Sequence, residues 1–526
     1  MKNPEIFIIM VLYMCVVIGI GVYFYKKSQR SSENYFLGGR SLGPWVAAMS
    51  AEASDMSGWL LMGLPGVAYW CGLADAFWTA LGLAIGTYLN WLIVARRLRN
   101  YSQIAGNSIT IPDFFSNRFK EKKKVILAIA ASFILIFFTV YASSCFVTVG
   151  KLFSTLFGFD YHVMLIVGAV FVVAYTLIGG FLAESVSDFM QAIVMIVALV
   201  AMIFVGVINA GGFGAVVENS KNIEGFLSLS QIANPVLGEN GTQAIVDGKP
   251  LFGAASPYGF LNMVSMLAWG LGYFGVPQVL LRFMAIRDAK EIKRSRIIAT
   301  VWCVISLAAA VLIGIIGRTL LPTNEALGTK AGAENVLIVL STEYLPLIIA
   351  GLIMAGILAA TISSSDSYLL IASSSVSVNI FKGIVKKNAT DKQVMWLSRI
   401  VLIVIALIGI VIAWDENSVI FSLVSFAWAG FGATFGPIML FSLFWKRTTK
   451  VGAIAGMIAG AASVFIWKLV LNPLLSPAIP AFGIYELLPA FIISSIAILV
   501  GSLLSKKPDD EVIEEFEKAK KGEVAA

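Results

Sequence analysis

Residues 51–59, AEASDMSGW, interrupt an apolar run that would otherwise be long enough to cross a bilayer. The interruption carries two carboxylates, Glu52 and Asp55. Charged side chains within a spanning segment are costly and normally face a cavity, an ion or a partner. Ser57 and Gly58 weaken the helix, and broken helices occur at membrane depth only where they line such a cavity. We interpret the break as a place for a cation and a small zwitterion. The alternatives are a kinked helix with one buried salt bridge, or a misplaced span with Asp55 among the headgroups.

The composition is that of a membrane protein. Of the 526 residues, 58% are hydrophobic and 13% are charged, whereas about a quarter are charged in soluble domains. The four cysteines show no Cys-x-x-Cys or Cys/His spacing, so we expect free thiols and neither disulfides nor a metal site. The apolar run 6–25 has no basic region ahead of it and is followed by Lys26 and Lys27, which is typical of a retained first helix with its N-terminus outside.

Hydropathy predicts an all-α membrane protein with about 13 transmembrane helices. We place them at 5–25, 44–70, 72–95, 125–156, 161–182, 187–209, 257–281, 297–321, 345–381, 393–414, 418–444, 452–471 and 484–504. This topology puts the C-terminus inside. The loops predicted inside, together with the tail, then carry 31 of the 38 Lys and Arg residues, as the positive-inside rule requires. The net charge of +7 therefore reflects topology and is not a nucleic-acid-binding feature.

A second interruption lies in the seventh span, LAWGLGYFGVPQVLLRF at 267–283. Three glycines and Pro277 within eight residues disfavour a continuous helix there. The two interrupted spans are five apart and therefore run in opposite directions, as an inverted repeat of five helices requires. In such folds the substrate site lies where the broken helices meet. The alternative is a Gly/Pro kink that serves packing alone.

The repeat predicts a division of the chain into six parts. They are a first helix with a cytosolic loop (1–43), a first five-helix repeat (44–210), an extracellular loop (211–256), a second five-helix repeat (257–444), two C-terminal helices (445–505) and a cytosolic tail (506–526). Within the second repeat, Trp269 and Tyr273 are four residues apart and share one helix face. With Tyr141 they offer amphipathic rings as walls for a small ligand, although aromatic stripes are more often plain core.

The ninth span contains a dense set of hydroxyls, AATISSSDS at 359–367. Such hydroxyls can bond to the preceding helical turn. Hard cations, however, prefer several oxygen ligands, and we interpret this segment as part of a sodium site. Its predicted ligands are the hydroxyls of Ser363 and Ser364 and the carbonyls of Ala360, Ala53 and Met56. If the repeat is correct, Asp188 and Asp366 face the same region.

Several segments resemble the sodium/solute symporter family, and within it the branch that transports proline. They are YFLGGRSLGPW (35–45), ASDMSGWLLMGLPG (53–66), AWGLGYFGVPQVLLRFMA (268–285), ILAATISSS (357–365) and SFAWAGFGATFGPIMLFSLFW (425–445). The resemblance covers nearly the whole chain. It implies the inverted-repeat fold, with one extra helix at the N-terminus and two at the C-terminus.

The resemblance also implies roles for individual residues. Asp55 would be the carboxylate most critical to sodium dependence, supported by Ser57 and Gly58. Proline would contact the residues that match the family's substrate site, which are Ser57, Trp59, Tyr141, Trp269, Tyr273 and Pro277. Asp188 matches a residue on the inward sodium path, which in some relatives belongs to a second sodium site.

Three carboxylates depart from the family pattern. Glu52 and Glu184 stand where we expect small or neutral residues, and Asp366 stands where we expect a serine. With Asp188, Ser363 and Ser367, the Asp366 carboxylate would strengthen a second sodium site or carry a proton. These two alternatives leave the sodium stoichiometry open.

The expected function is sodium-coupled symport of L-proline into the cell by alternating access, with sodium as the coupling ion. We expect a multi-pass protein of the plasma membrane, in which a monomer suffices for transport. No nucleophile–His–acid set or phosphate loop supports an enzyme. The alternatives are a symporter for another small carboxylate or a sugar, a transporter-like ligand sensor, and a passive channel.

Overall fold

The structure is a computed structural model that describes residues 4–28 and 31–522. Its first half consists of nine helices. They are α1 (Pro4–Ser28), α2 (Ser32–Leu37), α3 (Pro44–Asp55), α4 (Leu64–Cys71), α5 (Leu73–Leu89), α6 (Ala95–Ile104), α7 (Ile111–Arg118), α8 (Val125–Phe157) and α9 (Tyr161–Asn209). Single π-helical turns at 59–63 and 90–94 connect α3 to α4 and α5 to α6.

The second half begins with a segment outside the helix bundle. It holds α10 (Phe213–Lys221) and the strands β1 (Gln231–Pro235), β2 (Ile245–Val246), β3 (Lys249–Pro250) and β4 (Phe252–Pro257). β1 pairs with β4 and β2 with β3, both antiparallel. We call this the outer side of the molecule, following the predicted topology. The sequence predicted this segment as an extracellular loop (211–256) and did not predict the strands, which are only two to six residues long.

Twelve α-helices complete the described part of the chain. They are α11 (Phe260–Leu267), α12 (Pro277–Ala285), α13 (Ile292–Leu320), α14 (Lys330–Ala333), α15 (Val336–Tyr344), α16 (Leu347–Ser374), α17 (Asp391–Ile412), α18 (Ile420–Phe444), α19 (Lys450–Ile466), α20 (Asn472–Leu475), α21 (Leu487–Leu504) and α22 (Asp510–Lys521), with the 3-10 segment 268–274 between α11 and α12.

The all-α membrane class is confirmed. In the described part of the chain, ten helices are long and apolar enough to cross a membrane, and the bent pair 260–274 and 277–285 makes eleven. Every predicted span falls mainly on helical residues, but the count of about 13 stays a prediction. The two spans predicted at 161–182 and 187–209 form the single element α9. They meet at Gly180, whose φ of +66° turns the chain, so no loop separates them at 183–186.

Both predicted interruptions are breaks in helices. After α3 the backbone leaves the helical region at Met56 (φ −87°, ψ 78°) and resumes it at Gly58. In the seventh span, a 3-10 segment replaces the α-helix up to Phe274, and Val276 is extended before Pro277 begins α12. A proline at the first helical position is favoured because its missing N–H has no helical partner there.

Glycines let the second break pack backbone to backbone on α5. A Cβ added at Gly82 would lie 2.5 Å from the Leu267 carbonyl oxygen, and one at Gly86 would lie 2.4 Å from that of Gly270. A Cβ at Gly270 would in turn lie 2.2 Å from the Gly82 oxygen. No real Cβ tolerates such distances, so α5 and the 268–274 segment fit together only while these residues are glycine.

The tail also folds. The apolar face of α22, formed by Val512, Phe516 and Ala519, is buried. The guanidinium groups of Arg97 and Arg118 lie 5.2 and 5.3 Å from the Phe516 ring centre, a cation–π arrangement. The sequence predicted a charged cytosolic segment here, and the structure shows in addition that it docks on the bundle.

Candidate functional site

The side chain of Asp55 joins the two broken helices. Its carboxylate accepts a hydrogen bond from the Tyr273 hydroxyl (2.8 Å) and one from the Gln278 side-chain amide (3.2 Å). Tyr273 belongs to the 3-10 segment and Gln278 to the first turn of α12. A carboxylate at a helix N-terminus is also stabilised by the helix dipole. The two breaks therefore meet at this residue, as an inverted repeat requires.

The backbone carbonyl of Asp55 is a second point of convergence. Freed by the break, it accepts hydrogen bonds from the Trp59 indole (3.1 Å) and from the hydroxyls of Tyr141 (3.3 Å) and Tyr368 (3.5 Å). The Tyr141 and Tyr368 rings stack at 4.2 Å. The family resemblance implied Trp59 and Tyr141, whereas Tyr368, two residues after Asp366 on α16, was missed.

Four of the five predicted sodium ligands come together. The hydroxyls of Ser363 and Ser364 lie 2.8 and 3.2 Å from the Ala53 carbonyl oxygen, and Ser363 also lies 3.1 Å from that of Ala360. These oxygens belong to α3 and α16, and all four residues are fully buried. Met56, the fifth predicted ligand, is buried at the break beside them. A set of carbonyl and hydroxyl oxygens suits a hard monovalent cation.

The predicted substrate residues form an aromatic cluster around the breaks. The Trp269 ring lies 6.0 Å from Trp59, 6.0 Å from Trp428 and 5.1 Å from Tyr485, and Tyr273 meets Trp428 edge-on at 5.1 Å. The Trp428 indole donates to the Trp269 carbonyl (2.8 Å). Trp428 and Tyr485 were missed because they come from α18 and from the turn before α21, far along the chain.

Two buried donors in this cluster lack a protein partner. The Ser57 hydroxyl and the Trp269 indole N–H find no acceptor among the described residues, although each residue is only 1% exposed. Buried polar groups normally have partners. Beside the rings of Trp59 and Tyr273, these donors can bind the carboxylate of a small ligand. Gly58 and Pro277 shape the backbone there: a Cβ at Gly58 would lie 2.3 Å from the Thr148 hydroxyl oxygen.

The site is closed to solvent on both sides. Asp55, Trp59 and Tyr141 are fully buried, and Trp269 and Tyr273 are 1% exposed. A ligand can therefore enter or leave only when helices move apart. The structure thus shows the site in an occluded conformation.

A second buried cluster surrounds Arg282. Its guanidinium pairs with Glu184 and, at 3.2 Å, with Asp188, and it donates to Ser367 (2.9 Å) and Ser50 (3.0 Å). Ser50 in turn donates to Asp188 (2.7 Å). The structure thus brings two of the predicted second-site residues, Asp188 and Ser367, to one guanidinium.

Asp366 adds a third carboxylate to the Arg282 cluster. It accepts the backbone N–H of Ser367 at 2.8 Å, whereas its second oxygen, like one oxygen of Asp188, has no partner among the described residues. The charges available are therefore three carboxylates, including Glu184, against one guanidinium. Such an excess inside a membrane is stabilised by a bound cation or proton.

Arg282 corrects one part of the sequence analysis. It was counted with the basic loop residues predicted inside, but it is fully buried in α12, which lowers that tally from 31 to 30. The signal was present, because Gln278 and Arg282 are polar residues four apart in an apolar segment and share one helix face. Glu52, the other unexpected carboxylate, is buried near the first break with one oxygen lacking a partner among the described residues.

Comparisons with known proteins point to one family. The family model described as sodium:solute symporter family matches residues 35–460. The chain is similar to a sodium/proline symporter of Haemophilus influenzae, with 42% identity over 97% of this chain and 96% of the relative. It is also similar to a sodium/proline symporter of Staphylococcus aureus, with 39% identity over 96% and 94% of the two chains.

Solved structures agree on the fold. A sodium-coupled sialic acid symporter in a substrate-bound outward-open state matches with a TM-score of 0.71, at 18% identity over 96% of this chain and 98% of that one. A transporter of the nucleobase-cation-symport-1 family matches with a TM-score of 0.52, at 13% identity over 93% and 100%. At these identities the likeness concerns the architecture alone.

Proposed function

Because this chain belongs to the sodium:solute symporter family, we propose that it carries L-proline into the cell together with sodium by alternating access. Two relatives that are about 40% identical over nearly their whole length bear the name sodium/proline symporter. The observation that carries the proposal is the meeting of both broken helices at Asp55, two residues from a carbonyl on which the Ser363 and Ser364 hydroxyls converge.

Sodium would bind between α3 and α16. Its ligands would be the carbonyls of Ala53, Met56 and Ala360 and the hydroxyls of Ser363 and Ser364. In the closed structure these hydroxyls donate to the Ala53 oxygen, and a bound cation would turn their lone pairs toward itself. The ion would then fix the C-terminal end of α3, and with it the position of Asp55.

Proline would bind beside the same break. Its carboxylate would accept from the Ser57 hydroxyl and the Trp269 indole N–H, the two buried donors without partners among the described residues. Its ring would lie against Trp59, Tyr141 and Tyr273, close to Gly58 and Pro277. An apolar ring with one carboxylate matches a pocket of amphipathic aromatic residues with a few fixed donors.

Coupling follows from the short distance along the chain between the two sites. Ala53 would hold sodium and Ser57 would hold proline, so ordering the break for one ligand orders it for the other. Such coupling is reciprocal and typically amounts to about 1–3 kcal/mol. Sodium bound from the outside would thus raise the affinity for proline before the carrier turns inward.

The Arg282 cluster would form the inward path. Sodium would leave past Asp188, and the excess negative charge of Asp188, Glu184 and Asp366 would take either a second sodium, with help from Ser363 and Ser367, or a proton. Arg282 already neutralises part of this negative charge. The number of ions carried per cycle therefore depends on whether the Asp366 carboxylate binds an ion.

The proposal includes the arrangement in the membrane. The N-terminus would lie outside and the C-terminus inside, and one chain would suffice for transport. Helices of the two repeats, 44–210 and 257–444, would move apart to open the site to one side of the membrane at a time. The basic loops support this orientation.

Flux in proteoliposomes tests the function. An inward sodium gradient should drive accumulation of labelled L-proline above the external concentration, and sodium and proline fluxes at a set membrane potential give the stoichiometry. Equal uptake without sodium would refute coupling. Stronger competition by another carboxylate or by a sugar would identify that compound, and not proline, as the preferred substrate. Binding without flux would indicate a sensor, and equilibration without accumulation would indicate a channel.

A further inference from the structure

The C-terminal helix α22 lies against helices from both repeats, on the side that the predicted topology places in the cytosol. The guanidinium groups of Arg97, in α6, and Arg118, in α7, lie 5.2 and 5.3 Å from the centre of its Phe516 ring. The Arg97 guanidinium also lies 4.8 Å from the ring of Phe444, the last residue of α18. Helices α6 and α7 belong to the first repeat and α18 to the second, so α22 packs where the two repeats meet.

Ion pairs attach the same helix to both repeats. Lys120, which follows α7, pairs with Glu515 and, at 3.3 Å, with Glu511. Lys446, which follows α18, pairs with Glu517 at 3.6 Å. All five side chains are at least partly exposed. Salt weakens such pairs, because mobile ions screen charges that are in contact with water.

Helix α7 connects α22 to the helices that form the candidate site. Asn379, in the π-helical segment that continues α16, donates a hydrogen bond to Asp113 of α7 at 2.9 Å. Arg118 donates to the Ser442 carbonyl of α18 at 3.1 Å. Helix α16 carries the hydroxyls of the proposed sodium site, and α18 contributes to the aromatic cluster. The position of α7 therefore affects both halves of the site.

The segment between α6 and α7 also covers the inner end of α12, the helix that carries Arg282. Arg40 donates to the Ser108 carbonyl in that segment and to the Met284 carbonyl in α12, each at 2.7 Å. These contacts hold the segment against α12 at the inner end of the proposed path past Asp188. The path therefore stays closed while α6 and α7 stay in place, and α22 contacts both.

We propose that α22 is an autoinhibitory helix: docked, it holds α6 and α7 against α18 and slows the opening of the site to the cytosol, and a rise in cytosolic salt releases it. The inference rests on the proposed function for the transport step that α22 slows.

The docking contact has a part that salt leaves intact and a part that salt weakens. The first is the buried apolar face of α22, and the second is the set of ion pairs of Lys120 and Lys446. Residues 505–509 form no helix and tether α22 to α21, so a released helix stays at a high effective concentration and rebinds. Docking is therefore an equilibrium that the cytosolic ionic strength sets.

Cross-linking measures docking without transport. In the full-length chain without its native cysteines, Lys446→Cys and Glu517→Cys place two thiols across the contact between α18 and α22. A short bismaleimide is added to inside-out membrane vesicles, whose cytosolic face meets the medium. The cross-linked yield should fall about threefold when N-methylglucamine chloride is raised about tenfold, which shortens the screening length about threefold. The pair Glu514→Cys and Lys518→Cys, within α22 itself, should give the same yield at both salt concentrations.

Uptake measures the effect on the cycle. Right-side-out vesicles are loaded with low or high N-methylglucamine chloride at equal osmolality, and high internal salt should raise the initial rate of sodium-driven proline uptake about twofold or more. The double variant Glu515→Gln and Glu517→Gln, which loses one ion pair to each repeat, should be fast at both salt concentrations. The double variant Asp510→Asn and Glu514→Gln loses the same charge from exposed positions and should respond like the unchanged protein.

A charge exchange separates inhibition from a merely structural role. Lys446→Glu should be fast at low salt, because it repels Glu517, and adding Glu517→Lys should restore the slow rate at low salt and the response to salt. If α22 only stabilised the fold, Lys446→Glu would lower uptake at every salt concentration.

Three results would overturn the inference: a cross-linked yield that salt does not change, uptake by the unchanged protein that internal salt does not change, or an undiminished salt response in the Glu515→Gln and Glu517→Gln variant. Accumulation of proline by the unchanged protein is a separate measurement. If the protein accumulated no proline, the proposed function would fall, while the cross-linked yields would still decide whether salt releases α22.

Discussion

At the scale of single residues, Asp55 connects the two functions of the site. Its backbone belongs to the segment that offers oxygens to sodium, and its side chain belongs with Tyr273 and Gln278 on the other broken helix. Sequence reasoning identified this residue because a carboxylate inside an apolar span stands out. It could not identify its partners, which follow it by 218 and 223 positions.

Asp55→Asn should reduce sodium-driven proline uptake about 10- to 100-fold. The amide keeps one acceptor but turns an NH₂ group toward Tyr273 or Gln278, and a hydrogen bond to a charged group contributes about 1.5–3 kcal/mol. The measurement is initial uptake against sodium concentration in proteoliposomes, with protein content as the control for insertion. A sodium dependence like that of the unchanged protein would refute the role of Asp55.

Trp269→Phe should raise the half-saturating proline concentration about tenfold and leave that for sodium within a factor of two. Phenylalanine keeps the stacking on Tyr485 but lacks the indole N–H that has no partner among the described residues. Losing a hydrogen bond to a carboxylate costs about 1.5 kcal/mol or more. Equal shifts in the proline and sodium requirements would argue against a substrate contact. Trp396→Phe, an exposed position on α17, is the matched control.

Arg282→Gln should lower the melting temperature in detergent far more than Arg282→Gln combined with Glu184→Gln. Removing one partner of a buried ion pair leaves an uncompensated charge and costs about 3–5 kcal/mol. Removing Glu184 as well should recover part of that loss, while Asp188 still lacks its guanidinium partner. Thermal unfolding of the single and double variants gives the comparison. Additive losses would mean that the two side chains do not act as a pair.

At the scale of elements, both breaks were predictable because their causes are local. Glycine, proline and charged residues disfavour a helix wherever they stand. The strands β1–β4 and the packed face of α22 were not predictable from such signals. The strands are too short to show an alternating pattern. The α22 face packs near Arg97 and Arg118, which lie about 400 positions earlier in the chain, so no local pattern shows where it docks.

Gly58→Ala should abolish most uptake, because its Cβ would lie 2.3 Å from the Thr148 hydroxyl oxygen in the closed form. Thr148→Ala removes two of the three nearest atoms and should restore part of the activity of the Gly58→Ala variant. Gly214→Ala on α10, with nothing within 4 Å, should behave like the unchanged protein. Initial uptake rates of the four proteins give the test, and no gain from Thr148→Ala would show that crowding is not the cause.

At the scale of the whole molecule, the sequence predicted the class and the spans well because hydropathy and basic loops are summed over many residues. It predicted the sodium oxygens from the dense hydroxyls of residues 359–367 and from the interruption in the second span, and four of the five predicted ligands meet in the structure. The sequence could not predict the charge balance around Arg282, because that balance depends on how α3, α9, α12 and α16 pack together. No local sequence pattern shows which helices will be neighbours.

The predicted orientation can be measured on intact cells. In a background without the native cysteines, Lys249→Cys, at the exposed first position of β3, should react with an impermeant maleimide from outside. Lys386→Cys, in the exposed turn before α17, should react only after permeabilisation. The reverse pattern would invert the topology and with it the direction assigned to the path past Asp188.

The glycine contacts between α5 and the second break have a mechanical consequence. Gly82, Gly86 and Gly270 touch backbone to backbone without any side chain between them that could change rotamer and take up a shift. Helix α5 and the 268–274 segment must therefore move as one rigid body during the transport cycle. The interface along which helices slide during the cycle must therefore lie elsewhere, where larger side chains separate the helices and can change rotamer.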